Sequence, residues 1–192
     1  MKRKFANESL VFLLIVMNRK LKLDELNRVS VEEFKSQKKL PIIVVLDNVR
    51  SLSNVGSFFR TSDAFKIEAI YLCGITAQPP HREIQKTALG ATESVEWEYF
   101  ETTEQALDRL KKKEFLIYAI EQTKNSIYLQ EVTYNLEKVA LIFGNEVDGV
   151  GQNVINLSKN SIEIPQFGTK HSLNVSISYG IVLWHFASKT LK

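Results

Sequence analysis

The sequence predicts a three-layer α/β domain built on a mainly parallel sheet, because short apolar runs alternate with helical patterns along most of the chain. The runs IIVVL at 42–46 and VALIF at 139–143 are continuous and apolar, as expected of parallel strands that are covered on both faces. Several segments between such runs repeat apolar residues at helical spacing. A chain of 192 residues is long enough for one domain of this kind with a substantial core.

The N-terminal part of the chain is predicted to alternate helices and strands. Ser30 and Glu33 have capping-box spacing, which predicts a helix near the end of an N-terminal arm over residues 1–40. A polar loop from Asp47 to Asn54 then separates the first strand from a helix over 55–65. The further elements are a strand at 69–73, a helix at 83–89 ended by Gly90, a half-exposed strand at 95–99 and a helix from Thr102 to Lys113.

Two strands in the C-terminal part of the chain are predicted to end in polar loops. A strand at 115–120 is followed by an irregular or briefly helical stretch at 121–137 and a strand at 139–143. After the turn Gly144-Asn145-Glu146 come a short helix, a strand at 161–164, Pro165 and the loop 166–171. The last helix opens at Ser172-Leu173-Asn174 and carries Val175, Tyr179, Val182 and Phe186 on one face. Ligands of open parallel sheets bind outside the carboxyl ends of the strands. We therefore expect these loops to hold a small cofactor and the loop 47–60 to bring the substrate to it.

Composition narrows the classes of protein that fit. A net charge of +3 permits a nucleic-acid partner without requiring one. The single cysteine, Cys73, excludes an internal disulfide framework and suits a reducing compartment, so we expect a buried thiol and a cytoplasmic location. No run of eighteen apolar residues occurs, so no membrane span is predicted.

The apolar segment from Leu10 to Met17, which follows three basic residues, is similar to a weak signal peptide. It is short, and basic residues follow it in place of a small-residue cleavage site. We therefore expect Met17 to be the natural start and residues 1–16 not to belong to the native protein. Secretion, with a mature chain beginning near residue 25, is the alternative.

The first group of candidate functional residues lies between Asn54 and Arg60. Gly56 allows the backbone to approach a partner closely, and Arg60 lies one helical turn further on. The guanidinium fork of Arg60 suits a phosphate or a carboxylate. Asn54 is expected to cap the helix and leave free N–H groups for an anion. The alternative, in which Asn54 is only a helix cap and Arg60 only a surface charge, stays open.

The second and third groups follow the two C-terminal strands. Glu146 can accept backbone hydrogen bonds and hold a loop, or accept from a ligand, although a solvated turn is an equally open interpretation. The stretch from Ile164 to Asn174 offers strand-end N–H and C=O groups to the edge of an adenine. Ser172 and Asn174 can instead serve only to cap the final helix.

Several other kinds of site are excluded or disfavoured. His81, His171 and His185 lack ligand spacing with Cys73, so no metal site is predicted. The sequence has no G-x-G-x-x-G after the first strand, no P-loop lysine and no nucleophile elbow, which disfavours Rossmann-type, P-loop and serine-hydrolase enzymes. Trp97 and Trp184 are predicted to be core residues and not platforms for stacked bases.

The three groups occur together and in order, and this combination resembles the SpoU, or TrmH-like, branch of the SPOUT RNA methyltransferases. The segments that carry the resemblance are LDNVRSLSNVGSFFRTSDAF at 46–65, KTALGATESVEW at 86–97, LIFGNEVDGV at 141–150 and IEIPQFGTKHSLNVSISYGIVLW at 162–184. The similarity covers the chain from Pro41 to its end, so residues 41–192 are expected to form the methyltransferase domain.

The resemblance implies an α/β fold with a C-terminal deep trefoil knot, a homodimer, S-adenosylmethionine as methyl donor, and methylation of a ribose 2′-hydroxyl in tRNA or rRNA. By position it implies that the cofactor contacts Ile120, Gly144, Ile164, Leu173 and Asn174. It also implies that Arg60 lies at the reacting hydroxyl, supported by Asn54 and Glu146, and that Ser172 contacts the methionine end or the RNA. A non-catalytic RNA-binding module that keeps the fold is the alternative.

The chemical role of Arg60 has two interpretations. In this family it is often taken as the base, but a guanidinium pKa above about 12 makes neutral arginine costly. We favour a fork on an RNA phosphate that orients the hydroxyl and stabilises developing negative charge. Arg50, Lys170, Arg82 and Lys86 are candidate phosphate contacts, although each is also compatible with an ordinary surface charge.

Overall fold

The computed structural model describes residues 19–190, and the chain divides at Ser30 into two compact units. In the first unit a 3-10 turn spans Leu23–Leu26. The carboxylate of Glu25 accepts the Lys22 N–H at 2.7 Å and forms an ion pair with Arg19. The apolar segment 10–17 and the expected start at Met17 lie outside the described residues.

The second unit contains a parallel sheet whose strands are β1 (Leu40–Asp47), β2 (Ile67–Cys73), β3 (Trp97–Phe100), β4 (Leu116–Ile120), β5 (Ile127–Tyr128), β6 (Val139–Phe143) and β7 (Asn160–Glu163). They lie in the order β3-β2-β1-β6-β4-β7-β5. In the central part of the sheet, Val44 pairs with Ile70 on one side and Leu141 on the other. The predicted mainly parallel sheet is confirmed, and each of the described strand pairs is parallel.

Helices cover both faces of this sheet. They are α1 (Val31–Ser36), α2 (Leu52–Phe65), α3 (Arg82–Ala88), α4 (Ala91–Ser94), α5 (Thr103–Lys112), α6 (Gln152–Leu157) and α7 (Val175–Ser188). Successive side chains of a strand point to opposite faces, and in β1 Val44 packs with residues of α2 and α7, whereas Val45 packs with residues of α5 and α6. The three-layer α/β/α prediction is therefore confirmed.

The start of α2 differs from the prediction. The helix begins at Leu52 because Ser51 is its N-cap, with its side chain accepting the Asn54 N–H at 3.3 Å. The prediction that Asn54 caps this helix was therefore wrong. Gly56 does not face an external partner either, since a Cβ there would lie 2.3 Å from the carbonyl oxygen of Ile84. Gly56 instead allows α3 to pack closely against α2.

Three smaller differences concern other parts of the chain. Helix α3 ends with Leu89 in the left-handed conformation (φ 48°), and Gly90 is the N-cap of the short helix α4, which was not predicted. The stretch 121–137 contains β5 and a 3-10 turn. Trp184 is not a core residue, because it is 53% exposed; its ring forms a tilted pair with Phe65, with ring centroids 6.0 Å apart.

The order of the strands creates a crevice at the carboxyl edge of the sheet. Strand β1 leads into α2 on one face, whereas β6 leads into α6 on the other. The two strands are neighbours, so the chain departs in opposite directions at this point, which is where open α/β sheets bind ligands. No helix within residues 19–190 is both long and apolar enough to span a membrane.

Candidate functional site

A cavity of about 460 Å³ opens at the carboxyl ends of β4, β6 and β7, and its volume is typical of small-molecule sites. Apolar side chains from these strands, Ile120, Phe143 and Ile162, contribute to its lining. The loops 144–149 and 164–174 form much of the remainder. The lining includes each of the residues expected to contact a cofactor, namely Ile120, Gly144, Ile164, Leu173 and Asn174.

The loop after β6 is tightly folded by its own hydrogen bonds. The backbones of Asn145 and Gly149 exchange two hydrogen bonds, at 3.1 and 3.2 Å, and the Asn145 side chain accepts the N–H groups of Val147 and Asp148 at 2.8 Å each. The loop returns so close to Gly144 that a Cβ there would lie 1.9 Å from the carbonyl carbon of Gly149. Gly144 is thus required by the loop itself, in addition to lining the cavity.

Glu121 and Gln122, directly after β4, connect the two loops of the cavity. The Glu121 carboxylate accepts the N–H groups of Gln122 at 2.8 Å and of Val150 at 3.0 Å. The Gln122 side chain donates to the carbonyl oxygen of His171 at 2.8 Å. Neither residue was predicted to belong to the site, although Glu121, like Glu146, is a carboxylate shortly after a predicted strand.

A polar network joins Glu146, Asn54 and Asn174, which come from the three separate groups of candidate residues. The Glu146 carboxylate accepts the Asn54 side-chain N–H at 2.8 Å and the backbone N–H groups of Arg50 and Ser51, both at 3.1 Å. Asn174 donates to the side-chain oxygen of Asn54 at 3.2 Å. Asn174 also caps α7, accepting the Ser176 N–H at 2.9 Å. Asn174 therefore both caps α7 and takes part in the network.

The network keeps Glu146 ionised. Partial burial alone raises the pKa of the Glu146 carboxyl, but the hydrogen bonds from the Arg50 backbone, the Asn54 side chain and the Ser51 backbone outweigh it, so the pKa lies below its ordinary value. A carboxylate that accepts three hydrogen bonds at neutral pH holds a structure together and has no proton to give. Glu146 is exposed, but its three hydrogen bonds connect the loop after β6 to the start of α2, so the turn is more than a solvated one.

A second carboxylate, Asp47 at the end of β1, was also missed. It is buried, and it accepts the hydroxyl of Thr103 at 2.6 Å and the N–H of Gly151 at 2.9 Å. It thereby connects β1 to the starts of α5 and α6. Asp47 thus stabilises the crevice between β1 and β6 on the face that carries α5 and α6, whereas Glu146 stabilises it at the start of α2.

The residues expected to meet the substrate do not converge in the same way. Arg60 is exposed on the outer side of α2, does not line the cavity, and has no hydrogen bond or ion pair with any residue in the range 19–190. The Arg50 side chain lies 3.5 Å from the Asp148 carboxylate, and Lys170 is exposed on the loop after β7. Only Ser172 of this set lines the cavity.

The charge of the cavity selects the kind of ligand that fits it. Its lining contains the four carboxylates Glu121, Glu146, Asp148 and Glu163 and neither lysine nor arginine. A phosphate-bearing cofactor would be repelled there, whereas a cation with an apolar ring system would find opposite charge and apolar contacts. S-adenosylmethionine fits these residues, because its sulfonium and ammonium groups outweigh its one carboxylate and leave a net positive charge.

Two other chemistries have no support among the described residues. No group of three or more His, Cys, Asp or Glu side chains within 19–190 is placed to hold a metal ion. Cys73 is fully buried, as expected of a core residue, and burial raises the pKa of its thiol to about 12. A thiol with such a pKa is not a nucleophile at neutral pH.

Comparison with known proteins adds independent findings. Residues 41–184 match the family described as SpoU rRNA Methylase. A tRNA (guanosine(18)-2′-O)-methyltransferase of Aquifex aeolicus is 31% identical over 158 residues, which cover 80% of this chain and 72% of that protein.

Solved structures with the same arrangement include the TrmH/SpoU tRNA modifying enzyme of A. aeolicus, with a TM-score of 0.73, 28% identity, and coverage of 83% of this chain and 79% of that chain. An AdoMet-bound rRNA methyltransferase from Sinorhizobium meliloti has a TM-score of 0.72 and 28% identity, covering 86% of this chain and 62% of that one.

Proposed function

The chain belongs to the SpoU rRNA Methylase family, and we propose from this premise that it transfers a methyl group from S-adenosylmethionine to a ribose 2′-hydroxyl of tRNA or rRNA. The observation that carries the proposal is the acidic cavity at the carboxyl edge of the sheet, which brings together the residues that the family motifs assign to the cofactor. A cavity without cationic side chains suits a sulfonium donor better than a phosphate-bearing one.

The cofactor supplies a methyl group that its sulfonium has already activated. Around it, Ile120, Ile164 and Leu173 provide apolar contacts for the adenosine, while Gly144 and Asn174 shape the loops that surround it. The carboxylates of the cavity favour the positive charge. The chain therefore contributes mainly binding and orientation, which is where much of the rate of such a transfer arises.

Arg60 orients the accepting hydroxyl. Its guanidinium binds the phosphate next to the target ribose as a bidentate fork and stabilises the negative charge that develops on the oxygen. The proton leaves to the RNA phosphate or to water, because a neutral guanidine is too costly to serve as base. Asn54 and Glu146 support this step because they hold the first turn of α2 against the loop after β6. Arg60 lies further along the same helix.

The active form is a homodimer. Helix α7 presents Ile177, Ile181 and Trp184 along one exposed stripe, which is a large apolar surface for a helix that flanks the candidate site. Arg60 lies on the outer side of the neighbouring helix α2 and does not line the cavity of its own chain. We propose that a second copy packs on this stripe and that Arg60 acts at the cavity of the partner subunit.

The C-terminal part of the chain is threaded into a trefoil knot. Two kinds of contact support this proposal. Tyr179 of α7 packs on Phe58 of α2, with ring centroids 4.4 Å apart, whereas His185 of the same helix contacts the carbonyl oxygen of Val132 at 2.8 Å. Helix α7 thus lies between α2 and the segment that joins β4 to β6. A crystal structure that traces residues 121–190 would test the threading.

The candidate RNA contacts are basic residues that do not line the cavity, together with Ser172, which does. Arg50, Arg82, Lys86, Lys170 and Ser172 are the candidates, and the ion pairs of Arg50 with Asp148 and of Lys86 with Glu83 are exposed. Exposed pairs of this kind contribute little to stability, so RNA phosphates can replace the carboxylates at small cost. A protein that modifies tRNA or rRNA is expected to work in the cytoplasm.

The test uses the purified full-length protein with methyl-labelled S-adenosylmethionine and total RNA from a host strain that lacks the gene. We expect label in 2′-O-methylnucleosides after nuclease digestion, and calorimetric titration should detect cofactor binding without RNA. RNA binding with neither cofactor binding nor methylation would instead identify a non-catalytic RNA-binding module.

A further inference from the structure

The loop after β7 carries an aromatic side chain that does not pack against the rest of the fold. Phe167 is 97% exposed, the highest value among the large apolar residues of the described chain that are exposed. Its ring forms no aromatic pair with any residue in the range 19–190, and a Cβ on the following residue, Gly168, would meet nothing within 4 Å. A single exposed apolar side chain is ordinary in itself, but a ring that contacts nothing in the fold and lies beside a cavity is free to pack on a bound molecule.

The position of Phe167 places its ligand at the mouth of the cavity. The preceding residue, Gln166, lines the cavity, and so do His171 and Ser172 on the returning side of the same loop. Gln122 holds the returning side through its hydrogen bond to the carbonyl oxygen of His171. The ring is thus attached beside the opening through which a substrate must approach.

A second exposed apolar side chain comes from the loop after β6. Val147 is 71% exposed and lines the cavity, and the exposed basic residue Lys170 lies three positions after Phe167. Apolar side chains from two loops, with a basic residue on one of them, suit a flat, uncharged ring that is attached to a phosphate. A nucleobase in single-stranded RNA has this chemistry.

We propose that Phe167 stacks on the base of the nucleotide whose ribose is methylated, so that the loop after β7 binds the cofactor with one part and the substrate base with another. This inference rests on the proposed function. Unpaired RNA bases are commonly stacked on aromatic side chains. Because every base has a π-face, Phe167 contributes affinity and positioning without selecting among bases.

The test replaces the ring while keeping the protein intact. Phe167→Ala is expected to raise the KM for RNA by about tenfold to a hundredfold, the usual range for loss of one stacked base. Its Kd for S-adenosylmethionine should stay within about twofold of the wild-type value, because the side chain does not line the cavity. Phe167→Tyr should restore the KM, whereas Phe167→Leu should not.

A matched control is Ile75→Ala, which removes another exposed apolar side chain from a loop that does not line the cavity. It should leave the KM for RNA unchanged. A direct readout is Phe167→Trp, whose fluorescence should be quenched on RNA binding beyond the quenching seen for the native tryptophans.

Four results would overturn the inference. A raised Kd for the cofactor with an unchanged KM for RNA would make Phe167 a cover of the cofactor. Loss of the dimer in Phe167→Ala would make it a contact between copies. Full rescue by leucine would exclude stacking. A Phe167→Ala protein as active as wild type would refute this inference alone, whereas a wild-type protein that neither binds the cofactor nor methylates RNA would refute the proposed function.

Discussion

The cofactor side and the substrate side of the candidate site are built in different ways. Residues expected to bind the cofactor come from β4, β6, β7 and the loops after them, and one chain brings them together around one cavity. Residues expected to meet the substrate, above all Arg60 and Lys170, are exposed and scattered. The first set of residues lines one cavity of a single chain, whereas Arg60 and Lys170 do not line it.

This difference follows from the elements that carry each side. The register of the sheet and the packing of α2 and α7 fix the ends of these elements. Side chains more than a hundred residues apart therefore meet, as Asn54 in α2 and Asn174 at the N-cap of α7 do at 3.2 Å. A residue on the outer side of a surface helix can act only on something outside the chain. The proposed cofactor site therefore lies within one chain, whereas the proposed role of Arg60 requires a second molecule.

The largest expected effect comes from Arg60→Ala. Loss of the guanidinium should lower the methylation rate by about a hundredfold to a thousandfold, the usual cost of removing a group that stabilises developing negative charge. The Kd for S-adenosylmethionine should remain near the wild-type value because Arg60 does not line the cavity of its own chain. Rate measurements with Arg60→Lys provide the control, since lysine keeps the charge and loses the fork.

Mixing two inactive variants sharpens the same point. Leu173→Arg puts a positive charge into the mouth of the acidic cavity and should prevent cofactor binding. If Arg60 acts at the cavity of the partner subunit, mixed dimers of Arg60→Ala and Leu173→Arg contain one intact site and regain activity. If it acts within its own chain, no mixed dimer has an intact site and the mixture stays inactive.

The second prediction concerns the apolar stripe of α7. Ile181→Asp places a charge on the proposed contact between copies and should convert the dimer to monomers, with a loss of activity of about tenfold or more, since burying an unpaired charge is strongly unfavourable. Cofactor binding should persist, because the cavity belongs to one chain. Sedimentation measures the oligomeric state, and titration measures the Kd for S-adenosylmethionine.

The control is Leu157→Asp, at an exposed position of α6 on the other face of the sheet, which should change neither the oligomeric state nor the Kd. An undiminished dimer in Ile181→Asp would contradict the proposal.

A smaller effect is expected from Glu121→Gln. The carboxylate accepts the Gln122 and Val150 N–H groups, and hydrogen bonds to a charged acceptor are worth more than those to an amide, so cofactor affinity should fall about tenfold. Glu163→Gln is the matched control, since Glu163 also lines the cavity but accepts from the Ser126 hydroxyl instead of holding the loop after β6. Equal losses in both variants would mean that charge alone matters.

The smallest expected effect is the pH dependence of Glu146. Its pKa in the folded protein lies below the ordinary value of 4.5, so its contribution to the free energy of unfolding is present above that pH. The contribution is lost as the pH falls below 4.5 and through the lower folded-state pKa. Denaturant unfolding of wild type and Glu146→Gln should therefore differ at pH 7 and converge in acid. A difference that stays constant across this range would exclude the lowered pKa.

Local patterns were sufficient for most of the secondary structure. The capping spacing of Thr102 and Gln105 is confirmed by a hydrogen bond of 3.3 Å, and the buried face of α7 carries Tyr179, Val182 and Phe186 as predicted. Such patterns are local, so a sequence displays them directly. One error concerned a helix start, since Asn54 was expected to cap α2 and Ser51 is the N-cap instead.

Other features depended on neighbours that are distant in the sequence. Gly56 was expected to face a partner, but α3 packs on it. Trp184 was expected in the core, although the face of α7 that carries it is exposed. Glu121 gave no signal beyond its place after a strand, because its hydrogen-bond partner Val150 lies 29 residues further along the chain.

By itself, the sequence determined the fold class, the alternation of strands and helices, and the three motifs that indicate the family, because each of these is written in short-range periodicity or in a contiguous run of residues. Only the tertiary structure decided that Glu146, Asn54 and Asn174 form one network, that the cavity is acidic, and that Arg60 faces outward. The physical reason is that sheet register and helix packing bring together groups that are far apart in the sequence, and the distance between two groups in space cannot be read from their separation along the chain.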